Sequence, residues 1–141
     1  MGAKRVELGR SFFIRGEHDS DLIGFVTEFA KKNKIMLARF TAIGALKSAK
    51  LGFYDQQKHE YLETELKVPL EIATCVGNVS LKDGEPFVHA HAVLADQSEH
   101  VRAGHLLAGR VFAAEIHLTE LLGEKLVRKP DPVTGLSLWE M

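Results

Sequence analysis

Apolar residues recur along this chain in two rhythms. Leu22, Ile23, Val26, Phe29 and Ala30 fall at the three-to-four-residue spacing of one helix face. Asp19 or Ser20 can cap the start of that helix. Lys31, Lys32 and Lys34 put positive charge where a carboxyl end favours it, and Asn33 offers a stop. Elsewhere the pattern is strand-like, over residues 5–15, 36–54, 59–67, 70–81, 86–95, 101–107 and 111–121, with a short tail at Leu136–Trp139. The second segment reads either as one strand or as two broken at Gly44. Turn chemistry separates the segments at Lys82-Asp83-Gly84, between Asp96 and Glu99, and around Gly109. Strands in hairpin-length succession predict an α+β fold, a mostly antiparallel β-sheet with one main helix packed on it, in a single domain over residues 1–141. Two segments, VFAAEIHL and LEIATCVGNV, are apolar on both faces, which predicts that another subunit covers part of the sheet.

Composition removes several classes. Hydrophobic residues make up 45% and charged ones 26%, with a net charge of −1, so the basic excess of a nucleic-acid footprint is missing. The three lysines that follow the helix read as its solvated end. The single cysteine, Cys75, rules out an intrachain disulfide framework and suits a reducing cytoplasm; within IATCVG it reads as a buried, inert thiol. The opening residues lack a charged start before a long apolar run, so no signal peptide is expected. No stretch of about 18 apolar residues could span a bilayer. Asn78-Val79-Ser80 matches a glycosylation acceptor, a match without meaning in a cytoplasmic protein. Phosphate-loop, dinucleotide, CxxC and G-x-S-x-G patterns are all missing.

The chemistry concentrates in Pro86–Gly109, PFVHAHAVLADQSEHVRAGHLLAG. On a strand, His89 and His91 share a face, about 7 Å apart. A hairpin centred near Ser98 places His105 opposite His91, so three rings converge on one point. A slip of one residue would send His105 to the other face. Three neutral imidazoles suit zinc, with nickel, copper and iron as rivals. An open fourth position is the arrangement that activates water in catalytic zinc sites. If a second turn centres near Arg110, Glu115 falls opposite His105, as a fourth ligand, as an orienter of a ligand or as a base. His117 shares its face. The bland alternative is a pair of strand histidines with backbone partners and no ion.

Several segments together resemble the PPC (plants and prokaryotes conserved) domain family in its stand-alone prokaryotic form, whose members carry a DNA-binding label. They are Ala42-Ile43-Gly44-Ala45-Leu46, Leu51-Gly52-Phe53-Tyr54-Asp55, Pro69-Leu70-Glu71-Ile72 and Gly77-Asn78-Val79-Ser80. After them come His89-x-His91, Gly104-His105-Leu106, Glu115 and Thr134-Gly135-Leu136-Ser137-Leu138-Trp139. The family's two glycines before the third histidine are here Ala103-Gly104, and the Arg-Gly-Arg-Pro core of the plant AT-hook is missing. The resemblance implies a homotrimer with a three-histidine metal site, probable zinc, near a subunit boundary. Two functions follow. One is a module that associates with DNA or DNA-bound protein, for which Arg5, Arg10, Lys47 and Lys50 could gather into a patch. The other is a metal-dependent, hydrolase-like enzyme acting on a small molecule between subunits. A third reading keeps the metal as a staple for the trimer.

Overall fold

The computed structural model describes residues 2–141. In chain order the elements are β1 (Val6–Arg15), α1 (Leu22–Lys32), β2 (Ala38–Asp55), β3 (Glu60–Leu66), β4 (Leu70–Lys82), β5 (Glu85–Ala95), β6 (Val101–Gly123), β7 (Val127–Pro130) and β8 (Ser137–Trp139). The architecture is α+β, and every strand pair is antiparallel except β4 with β7. Among the described residues no helix is long and apolar enough to cross a membrane.

Two strands are long enough to pair differently along their length. β2 runs beside β6 on one edge, and meets β4 and then β3 on the other. β6 returns the arrangement, meeting β5 near its start and β1 near its end. Because β4 also pairs with β5, the strands β2, β6, β5 and β4 close into a ring. Closure leaves few unpaired edges, which removes templates for unwanted strand addition.

The ring and the helix share one core. Phe40, Ala42, Cys75, Val79, Ala90, Leu94, Ile116 and Leu118 face inward together with Leu22, Val26 and Ala30 of α1. Cys75 is fully buried, and burial pushes its thiol up to about 11, so the reading of an inert thiol holds.

Two expectations need correction. The helix is capped by Asp21 rather than by Asp19 or Ser20. Its carboxylate accepts from Gly24 N at 2.8 Å, and the other oxygen accepts from Gly109 N at 2.7 Å. Asp19 is engaged instead by Lys47 and Arg110, and Ser20 Oγ donates to Glu17 O. The helix does stop at Asn33. The expected turn around Gly109 and Arg110 does not exist, and residues 101–123 form one strand. The glycine serves a close approach: a Cβ there would lie 3.0 Å from Leu46 Cδ1. Irregularities of register between Ala45 and Leu51 bend the β2–β6 ribbon at this level without ending it. β2 likewise continues through Gly44 with one bulge against β4.

Candidate metal centre

The hairpin between β5 and β6 has the register that the sequence predicts. His91 lies opposite His105, and the pairing runs through Ala92–Gly104, Val93–Ala103 and Leu94–Arg102 to Ala95–Val101. Its tip is fixed by Asp96, whose side chain accepts from Ser98 N and His100 N. His89, two residues before His91, projects to the same face. The three ring centroids are separated by 5.2 Å (His89–His91), 4.9 Å (His89–His105) and 5.5 Å (His91–His105). One nitrogen from each ring lies within 4.8 Å of the others.

The surroundings suit neutral imidazole, the form that binds metal. His89 is driven down to about 4, first by burial and then by His105, Arg128 and His91. His105 is lowered for the same leading reason, with His91 and Arg128 adding to it. Nδ1 of His105 is buried without a hydrogen-bond partner. An orphaned acceptor of this kind costs about 1–3 kcal/mol unless something binds it. The three donor nitrogens lie close enough together to hold one ion between them. The residues therefore fit a metal.

Beside His89 and His105 lies a cavity of about 440 Å3. Tyr54 and Tyr61 from the β2–β3 hairpin, Phe87 from β5, Arg128 from β7 and Leu136 from the tail line it. Tyr61 leans on His105 with centroids 5.3 Å apart, and Tyr54 donates to Thr134 O at 2.6 Å, tying the hairpin to the tail. Arg128 Nε donates to Ser80 Oγ, Nη1 to Ser137 O and Nη2 to Asn78 Oδ1, at 2.8, 3.0 and 3.0 Å. Asn78-Val79-Ser80 thus acts as an anchor for an arginine. Arg128 was not among the sequence's candidates. The signal available in the sequence is two alternate polar residues, Asn78 and Ser80, beside Val76, Val79 and Leu81 of β4.

Glu115 and His117 do not reach this cluster. Their placement depended on the missing turn. Without it Glu115 pairs with Arg15 and Ile43, and His117 with Phe13 and Thr41. Directly paired residues form a row on one face of the sheet: Phe13, His117, Thr41, Val76, His91 and His105. His117 is three strand spacings from His91, about 14 Å. It stacks on Phe13 with centroids 4.6 Å apart. The supposed DNA patch is also largely neutralised. Arg10 pairs with Glu120, Lys47 with Asp19 and Lys50 with Glu63.

The ring and its cluster define a small α+β protein that carries three converging imidazoles on one sheet face. Residues 3–122 match the model of the Plants and Prokaryotes Conserved (PCC) domain, and the chain belongs to that family. It is similar over its whole length to a metal-containing protein from Archaeoglobus fulgidus, at 42% identity and a TM-score of 0.96, covering all of that chain. A plant- and prokaryote-conserved protein from Pyrococcus horikoshii is 45% identical, with a TM-score of 0.95, covering all of this chain and 98% of that one. A candidate DNA-binding protein from Bacteroides thetaiotaomicron shares the fold over 96% of each chain, at 20% identity and a TM-score of 0.86. Among curated proteins, 97 residues are 37% identical to part of the bifunctional protein GlmU of Synechococcus sp. (strain JA-3-3Ab), and the match spans 14% of that protein's length.

Proposed function

We propose that this chain is a homotrimeric zinc protein whose His89–His91–His105 centre binds and acts on a small molecule. The observation that carries this reading is the convergence of three imidazoles, two of them lining a cavity, with one buried ring nitrogen unpartnered and no carboxylate joining the cluster among the described residues. Three protein ligands leave a coordination position open. When bound, zinc supplies Lewis-acid polarisation of whatever occupies that position. The chain's own residues do the rest: burial and Arg128 keep His89 unprotonated, and Tyr61 packs on the ring of His105. The metal-containing relative from Archaeoglobus fulgidus supports the reading. The homotrimer implied by the family resemblance has physical support in the exposed apolar side chains of Phe13, Ile43 and Val76, which share a face with the histidines. The buried unpaired thiol suits a cytoplasmic setting.

The test is metal analysis of protein purified without added metal, followed by a hydrolase substrate panel. One zinc per chain is expected, and His91→Ala should lose it while keeping the fold by circular dichroism. Protein devoid of transition metal, or loading indifferent to His91→Ala, would remove the centre.

The second reading is association with DNA or DNA-bound protein, supported by the candidate DNA-binding protein that shares the fold. Charge weighs against it: the chain carries −1 overall, and three of its four candidate cations are paired within the chain. Gel-shift titration at low and physiological salt separates the two. A shift that weakens steeply with salt favours DNA, and no shift at either condition leaves the metal reading alone.

A further inference from the structure

Among the described residues Arg128 is the one charged side chain in the buried class, at 9% exposure. The guanidinium carbon lies over the rings of both Phe87 and Trp139, 5.3 and 5.5 Å from their centroids. Neutral acceptors hold its edges: Ser80 Oγ, Ser137 O and Asn78 Oδ1, with His89 Nδ1 at 3.5 Å from Nη2. A guanidinium carries five N–H bonds. These contacts use four, and one on Nη1 is left over. Among the described residues no carboxylate oxygen comes within 4.0 Å of Arg128. A buried charge without a counter-charge is costly, and this fold retains one at the edge of a candidate metal centre.

The same cavity holds a second cation. Lys82 lines it with Nζ 5.3 Å from the Phe87 centroid, and no carboxylate among the described residues lies within 4.0 Å of that nitrogen either. The acid in the lining is Glu60, which is largely exposed and already 3.9 Å from Lys58. A dication at the histidines would raise the positive surplus further. Tyr54, Tyr61, Phe87, Leu107, Leu136 and Leu138 supply an apolar part of the wall, which suits a ligand with a carbon body.

We propose that the ligand of this centre is a small organic oxyanion, its charged group seated between Arg128 Nη1, Lys82 Nζ and the three histidines, its carbon body against Tyr54, Tyr61 and Leu136. The inference rests on the reading of the histidines as a metal site. Arg128 lies beyond the residues matched to the family, so this preference is set by the C-terminal strands.

The experiment uses the full chain loaded with cobalt, whose visible absorption reports the coordination sphere. Benzoate, phenyl phosphate and the neutral benzamide are titrated in turn. The expected result is a saturable spectral change with benzoate or phenyl phosphate and none with benzamide; which anion responds tells a carboxylate from a phosphoryl ligand. Arg128→Gln should weaken the response about 30-fold or more, because the anion loses a desolvated charge partner. Lys82→Gln should weaken it about threefold, as befits a more solvated cation. Both variants should still bind one cobalt per chain. If Arg128→Gln fails to fold, Lys82→Gln decides. Cobalt bound with no anion response, an equal response to benzamide, or anion binding unchanged in the folded variants overturns this inference and leaves the metal centre standing. Failure to bind cobalt at all overturns both.

Discussion

At residue 44 the backbone adopts φ of +126°, and a Cβ there would lie 2.3 Å from Ala113 O. Only glycine satisfies both conditions, so β2 can bend without ending. Gly44→Ala should cost about 2–3 kcal/mol, the scale of a strained backbone position, measured as a lower urea midpoint with an unchanged slope. A loss below about 0.5 kcal/mol would mean that β2 does not bend here. His89 gives a second prediction at this scale. Its value of about 4 lies below the ordinary 6.5, so between those values the unfolded chain binds the extra proton. The metal-free protein should keep this stability contribution above about pH 6.5 and lose it as pH falls towards 4. His89→Gln should flatten that limb in a series of melts against pH. The histidine cluster was legible in the sequence because strand alternation and hairpin register are local rules. Arg128 was not, because its place depends on a parallel pairing of β7 with β4 that no nearby turn announces.

Elements are joined through Asp21, which caps α1 and also holds the backbone of β6 at Gly109. The close approach of Leu46 Cδ1, 3.0 Å from where a Cβ would sit, explains why a glycine that looks like a turn signal lies in the middle of a 23-residue strand. A glycine can mark a loop or a close approach, and sequence alone does not tell these apart. That ambiguity split β6 in two and misplaced Glu115. Asp21→Ala removes a cap worth about 1–2 kcal/mol and strands a backbone N–H, so a loss of about 2 kcal/mol or more is expected in chemical denaturation. Asp19→Ala, at an exposed ion pair, should cost less than about 1 kcal/mol. Equal losses would return the cap to the earlier position.

The whole molecule combines a closed interior with an open outer face. The row from Phe13 to His105 leaves Phe13 89% exposed and Val76 51% exposed, apolar surface that a second subunit would cover in the proposed homotrimer. Phe13→Glu should convert a species of three times 15.7 kDa to one of 15.7 kDa in light scattering. A monomeric parent, or a trimeric variant, would refute that face as the interface. The ring closure was not legible in the sequence, since pairing between distant strands has no local signature.

Ring closure has one more consequence, at the single cysteine. Cys75 lies inside the circuit of β2, β6, β5 and β4, sealed from reagent until that circuit parts. Its rate of modification by a thiol-reactive dye therefore times the opening of the entire body, and any compound that favours the closed state must slow it. The chain thus carries a reporter of its own by which its ligands can be sought.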